Sequence, residues 1–358
     1  KWSPDGSKIY FIAPKGGTMQ LFEVELRGNR KQFKGVKQLT AGYFDISSII
    51  GIVGNVCYVT RTDMNTAAEI YSYDLRTTLL KKLSNVNDVH YDQIRKCEVK
   101  KRMVKTSDNL DMTVWVMYPP DFDSTKKYPT LLYCQGGPQS ALTQFYSFRW
   151  NFQVMASKGY IIVAPNRRGM PGHGTKWNEQ ISKDWGGQVM QDYLSAIDDV
   201  AKERYVDNKR IGAIGASYGG YSVFYLAGIH ENRFKTFISH CGVFNLQSMY
   251  GTTEEVFFTN FDLGGPYWDK NNEAAQKAYN QFNPINMVDK WNTPILIIQG
   301  GKDYRVPIGQ GQEAFQAAQL LGIKSRFLYF PDENHWVLAP QNALVWQSEF
   351  FKWLEETL

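Results

Sequence analysis

Cysteine is scarce in this chain, with four residues in 358 (Cys57, Cys97, Cys134 and Cys241), and they stand far apart with no C-x-x-C pair or histidine at metal-ligand spacing. That excludes a disulfide framework and a zinc-type cluster, and no metal or organic cofactor is implied. Cys134 and Cys241 close apolar runs and read as small buried hydrophobes, and the redox compartment stays open. No stretch approaches 18 uninterrupted apolar residues, and no charged n-region followed by an apolar h-region opens the chain, so a membrane span and a signal peptide are absent from these residues. Like charges never run to five or six, although 40 basic residues face 35 acidic ones for a net +5. Neither nucleic acid nor an anionic membrane is therefore called for as a partner. Histidine is nearly as rare as cysteine, with five residues.

What is present is core-building material, 43% hydrophobic and 15% aromatic, in a chain too long for one ordinary domain. Residues 1–95 read as all-β. KIYFIA (from Lys8) and LFEVEL (from Leu21) alternate, and NVCYVTRT (from Asn55), EIYSYDL (from Glu69) and KKLS repeat the theme a little over 40 residues later. A period near 40 with about four short strands per unit is the mark of β-propeller blades. Two blades cannot close a ring, so the expectation is the end of an incomplete β-propeller whose earlier blades lie upstream. A self-contained open meander is the alternative. Residues 96–358 switch to strands alternating with helices, the grammar of an α/β domain. After two lead-in strands (CEVKKRMVKT, MTVWVMYP) come TLLYC, YIIVAP, RIGAIG, FKTFISH, PILIIQG and RFLYFP. Helical patterns fall between them over residues 186–203 and at the end over 341–358.

The chemistry is carried by GASYGG (Gly215 to Gly220), a G-x-S-x-G motif with a strand before it and a helical run after it. That context puts Ser217 on a sharp turn with its hydroxyl raised above the sheet. A serine hydroxyl is a poor nucleophile at neutral pH and needs a histidine held by a carboxylate. Asp303 follows the strand PILIIQG and His335 follows RFLYFP, in the order acid then base and at the strand ends where α/β sheets gather reacting groups. His90, His173, His230 and His240 fit surface or core roles. Asp332 and Glu333 stand too close to His335 to orient it and read as solvated loop carboxylates. The backbone N–H of Tyr218 and the QGGP loop (Gln135 to Pro138) would hold the developing oxyanion.

The SPDG turn, QGGP, NRRGMPGHG, DWGG, GASYGG, D-x-R-V-P and NHW, in this order, resemble the prolyl oligopeptidase family of serine peptidases, and within it the acylaminoacyl-peptidase and dipeptidyl peptidase V branch. The resemblance spans essentially the whole chain. It implies an α/β-hydrolase domain joined to a propeller and oligopeptide substrates cleaved between them, with a homo-oligomer possible and a periplasmic or secreted location favoured. It also implies Gly137 as second oxyanion donor with Gln135 as helper, since Gln135 stands where the dipeptidyl peptidase IV pattern has tyrosine. In the segment Gly242 to Phe258, Phe244, Leu246, Met249 and Tyr250 would line a wide apolar pocket for Ala or larger hydrophobic side chains, with Val306 joining them; plain core packing is the competing reading of each. The expected activity is a serine exopeptidase releasing N-terminal dipeptides through an acyl-enzyme on Ser217. Removal of N-acylated residues is the first alternative and carboxylester hydrolysis the second.

Overall fold

A computed structural model describes residues 1–27 and 32–358. The N-terminal part forms two small antiparallel sheets. The first holds β1 (Lys8–Lys15), β2 (Thr18–Arg27) and β3 (Gln32–Gln38); the second holds β4 (Asp45–Val53), β5 (Val56–Asp63), β6 (Thr66–Asp74) and β7 (Leu80–Lys82). Trp2 bridges to Ile9 on the free edge of β1, the position that β4 occupies beside β5. The strands therefore correspond at a constant offset of 48 residues, Lys8 with Val56, Thr18 with Thr66 and Gln32 with Leu80. That is longer than the expected repeat, and β4 is a strand that periodicity missed. Tyr10, Leu21, Phe44, Ile46, Cys57, Val59 and Tyr73 fill the small core between the sheets.

The rest is one eight-stranded sheet in the order β15-β14-β13-β12-β10-β11-β9-β8. Its members are β8 (Glu98–Lys105), β9 (Asp111–Tyr118), β10 (Tyr128–Cys134), β11 (Ile161–Pro165), β12 (Val206–Ala216), β13 (Thr236–His240), β14 (Ile295–Gly300) and β15 (Ser325–Phe330). All neighbours from β15 to β11 are parallel, while β9 runs antiparallel to both β11 and β8. The central strands are buried on both faces, as parallel strands covered by helices must be. Helices Gln188–Val200 and Tyr218–Ala227 cover one face, and Phe152–Ser157 with Pro340–Thr357 cover the other.

Between β13 and β14 the chain inserts helices Leu246–Thr252, Val256–Leu263 and Glu273–Gln281, then the 3₁₀ turn Pro284–Lys290. They are short, so capping defines them more than periodicity does. The Asn245 side chain accepts from the N–H groups of Gln247 and Ser248, and Asn272 accepts from Ala275. The small sheets dock on the large one close to its loops. Trp115 Nε1 donates to Gly17 O at 3.1 Å, Gly16 N to Gly172 O at 2.9 Å, and Thr143 Oγ1 to the buried Asp45 carboxylate at 2.5 Å.

Candidate active site

Ser217 sits between β12 and helix Tyr218–Ala227 with φ 60° and ψ −123°. A non-glycine residue rarely holds that conformation, and doing so costs about 1–3 kcal/mol. Two fixtures hold it: Ser217 N donates to His240 O on β13 at 2.9 Å, and Tyr221 N donates to Ser217 O at 2.9 Å. Close packing explains the neighbouring glycine, since a Cβ on Gly219 would collide with the carbonyl oxygen of Cys134. Tyr218 N–H is at the first helical position, where no intrahelical acceptor exists, and so is available to an anion. The Tyr218 side chain points away into the core, its hydroxyl donating to Trp185 O at 2.7 Å.

Asp303 follows β14 and is 2% exposed. Its Oδ1 accepts from the backbone N–H groups of Arg305 (3.1 Å) and Val306 (2.8 Å), which is the physical content of the D-x-R-V pattern. Its Oδ2 receives His335 Nδ1 at 2.7 Å, with Gln299 Nε2 at 3.5 Å. The tautomer follows: Nδ1 carries the hydrogen and Nε2 is left to accept a proton. Burial resists charging this ring, but the adjacent Cys241 sulfur and the Asp303 carboxylate outweigh it and raise the His335 pKa well above the usual value. Cys241 Sγ is 3.9 Å from His335 Nε2 and 3.6 Å from His335 O. Among the described residues Ser217 Oγ has no hydrogen-bond partner, yet Ser217 and His335 line the same cavity of about 450 Å³. Such bonds often tighten only when substrate is bound.

The donor atoms of Cys241, Asp303 and His335 lie within 4.8 Å of one another. Asp303 is already saturated by the imidazole and two backbone N–H groups, which is the bonding of an acid that orients a base rather than of a metal ligand.

The QGGP loop forms another part of the cavity wall through Gln135, Gly136 and Gly137. Gly137 has φ 126°, a glycine conformation, and Gln135 Nε2 reaches Ser140 Oγ at 3.4 Å. Gly136 comes nearest the nucleophile, since a Cβ there would lie 3.0 Å from Ala216 O and 3.5 Å from Ser217 Cβ. The loop is braced by Arg167, a fully buried guanidinium that donates to Pro138 O (2.7 Å), Gln135 O (3.1 Å) and the Tyr193 hydroxyl (3.0 Å) and lies over the Tyr218 ring. The signal for Arg167 was visible in NRRG, although only as a motif without a role.

Three expectations need correcting. The proposed pocket residues Phe244, Leu246, Met249, Tyr250 and Val306 are all packed in the core. Phe244 packs edge-on against Phe224 and Trp291, Tyr250 donates to Asn260 at 2.9 Å, and Val306 serves Asp303. The apolar wall of the cavity comes instead from Tyr133, Trp150, Phe258 and Trp336. Glu333 is not a solvated carboxylate: it is 5% exposed and accepts from Leu338 N, Ala339 N and Asn342 Nδ2, tying the His335 loop to the final helix. Only Asp332 is exposed, paired with Lys302 at 2.8 Å. Cys241 is buried as expected, but against the imidazole rather than in a purely apolar setting. The other histidines stay apart from Asp303: His90 is exposed, His173 half-buried, His230 receives Phe234 N, and His240 Nδ1 accepts from Trp346 Nε1.

Over its full length the chain is 47% identical to dipeptidyl-peptidase 5 of Porphyromonas gingivalis, covering 51% of that protein. It is 33% identical to a probable dipeptidyl-peptidase 5 of Aspergillus clavatus over 99% of the chain and 49% of the relative. The chain thus spans about half the length of the curated relatives it matches. Among solved structures, acylaminoacyl peptidase of Pyrococcus horikoshii superposes over 98% of this chain and 54% of its own, with TM-score 0.85 and 22% identity, which speaks to fold. The sequence model of the prolyl oligopeptidase family matches residues 146–358, more than half of the chain, and the chain therefore belongs to that family.

Proposed function

We propose that this chain is the catalytic part of a serine exopeptidase that releases N-terminal dipeptides from oligopeptides through an acyl-enzyme on Ser217. The observation that carries the reading is the Asp303–His335 pair opening onto the cavity that Ser217 lines. In this mechanism His335 Nε2 takes the Ser217 proton as Oγ attacks the scissile carbonyl. The oxyanion is held by the N–H of Tyr218 and by the QGGP loop, where Gly136 joins Gly137 and Gln135 as a candidate. His335 then gives the proton to the leaving amine, and water repeats the cycle on the ester. Phe258, Trp336 and Tyr133 are the proposed apolar contacts for the side chain preceding the cleaved bond, in place of the residues drawn from the sequence.

The division into a propeller part (1–95) and a catalytic part (96–358) belongs to the same reading. Phe33, Val36, Ile50 and Val53 are apolar and exposed on the small sheets, which supports further blades covering them in the whole protein. A dipeptidyl peptidase must bind a free α-ammonium with carboxylates, and the cavity's carboxylate among the described residues, Glu255, is paired with Arg305 at 2.9 Å. A panel of a dipeptidyl chromogenic amide, an N-acyl amino-acid amide and a simple ester, run beside Ser217→Ala on the protein at its natural length, decides. Dipeptide release lost in the variant supports the proposal. Cleavage of the N-acyl substrate alone moves it to the alternative, and ester-only activity overturns peptidase action.

A further inference from the structure

Two cations line the cavity, and they differ in how their charge is met. Arg305 is paired with Glu255 and stacks over Trp336. Arg149 has no carboxylate within ion-pair reach among the described residues. Among the described residues its side chain makes one hydrogen bond, from Nη1 to the carbonyl oxygen of His335 at 3.4 Å, and none from Nε or Nη2. Burial pulls its pKa below the usual guanidinium value, so the surroundings do not pay for the charge by themselves. Cys241, Tyr133 and Asp303 lie near enough to favour the charge, but among the described residues none of them is within hydrogen-bond or ion-pair reach of the guanidinium. Trp150, on the same cavity wall, has its buried Nε1 unpartnered. A cation that lines a cavity with no carboxylate in ion-pair reach calls for an anion, and a guanidinium matches a carboxylate best.

The position within the cavity says which carboxylate. His335 is the residue that hands a proton to the leaving amine, and Arg149 is bonded to the carbonyl of that same residue. In a tripeptide cleaved after its second residue, the leaving group is a single amino acid whose carboxyl carbon is two bonds from the departing nitrogen. We infer that Arg149, with Trp150 beside it, forms a carboxylate subsite on the leaving-group side of the cavity, which selects very short peptides, tripeptides first, by their C-terminal carboxylate. This rests on the peptidase reading above and adds a length preference to it.

The test uses the protein at its natural length and compares Ala-Ala-Ala as the free acid with its C-terminal amide, alongside a dipeptidyl chromogenic substrate that has no carboxylate. The acid should exceed the amide in kcat/KM by about 10-fold or more, as a charge-assisted bond warrants. Arg149→Gln should bring that ratio close to one, and Arg149→Lys should retain part of it. A ratio near one in the unmodified protein, or an unchanged ratio in Arg149→Gln that still turns over the chromogenic substrate, overturns the subsite. Calorimetric titration of the acid and the amide into Ser217→Ala, with and without Arg149→Gln, gives the same comparison without turnover. Failure to hydrolyse any peptide therefore sinks the peptidase reading, while the titration still decides the subsite: tighter binding of the acid that Arg149→Gln abolishes supports it, and equal binding of acid and amide rejects it.

Discussion

The two small sheets and the large one are built from similar residues but are finished differently. Central strands β11, β13 and β14 are buried at every position and helices close both faces, whereas β3 is exposed along almost all its length and β4 turns Ile50 and Val53 outward. The large sheet can therefore hold a residue in a strained conformation, because its surroundings over-determine it. Ser217, Asp303 and His335 all lie just beyond the carboxyl ends of its strands or in the loops that follow. Among the described residues, the small sheets contribute docking contacts near the cavity and none of its lining residues.

If the chemistry belongs to the large sheet, its variants should separate cleanly by size of effect. Ser217→Ala should lower turnover on the order of 10⁶-fold and abolish labelling by a fluorophosphonate. Asp303→Asn leaves the shape but favours the wrong imidazole tautomer, so kcat should fall about 10⁴-fold. Arg167→Met frees the carbonyls of Gln135 and Pro138, and a loss on the order of 10² in kcat is expected, as for removal of an oxyanion donor. If Arg167→Met turns over normally, the loop does not depend on this brace.

The raised pKa of His335 sets two opposite pH responses. For catalysis the ring must be unprotonated, so kcat/KM should climb with pH along a limb above the ordinary histidine value of about 6.5. For stability the sign reverses. The folded protein binds this proton more tightly than the unfolded chain, so the contribution is complete below about 6.5 and is lost as pH rises through the raised folded value. Melting curves across that window should show the decline, and Asp303→Asn should flatten it. The smallest effect on chemistry belongs to the other region. Ile46→Ala in the small core should cost about 2–5 kcal/mol of local stability. It should nevertheless leave Ser217 labelling intact. Coupled loss of labelling would break the comparison.

The strands of the large sheet were legible because each is a short apolar run bounded by turn residues, and the motif order placed nucleophile, acid and base at their ends. β4 was missed because its buried and exposed positions alternate irregularly, with register shifts against β5 at Ile46/Ser48 and Ile49/Gly51. The pocket residues were misplaced for a different reason. Phe244 and Met249 are apolar in either setting, and only the inserted helices decide that they face the core while Phe258 reaches the cavity.

By itself the sequence determined the α/β class of the large sheet, the sharp turn at Ser217 and the pairing of Asp303 with His335, since local propensity and chain order are enough for each. Tertiary structure alone decided which carbonyls Arg167 braces, that Gly136 lies against Ser217, that Cys241 faces the imidazole, and that Arg149 has its charge unmatched. These depend on residues distant in sequence meeting at fixed distances, and a buried charge reveals its meaning only through the partners that surround it.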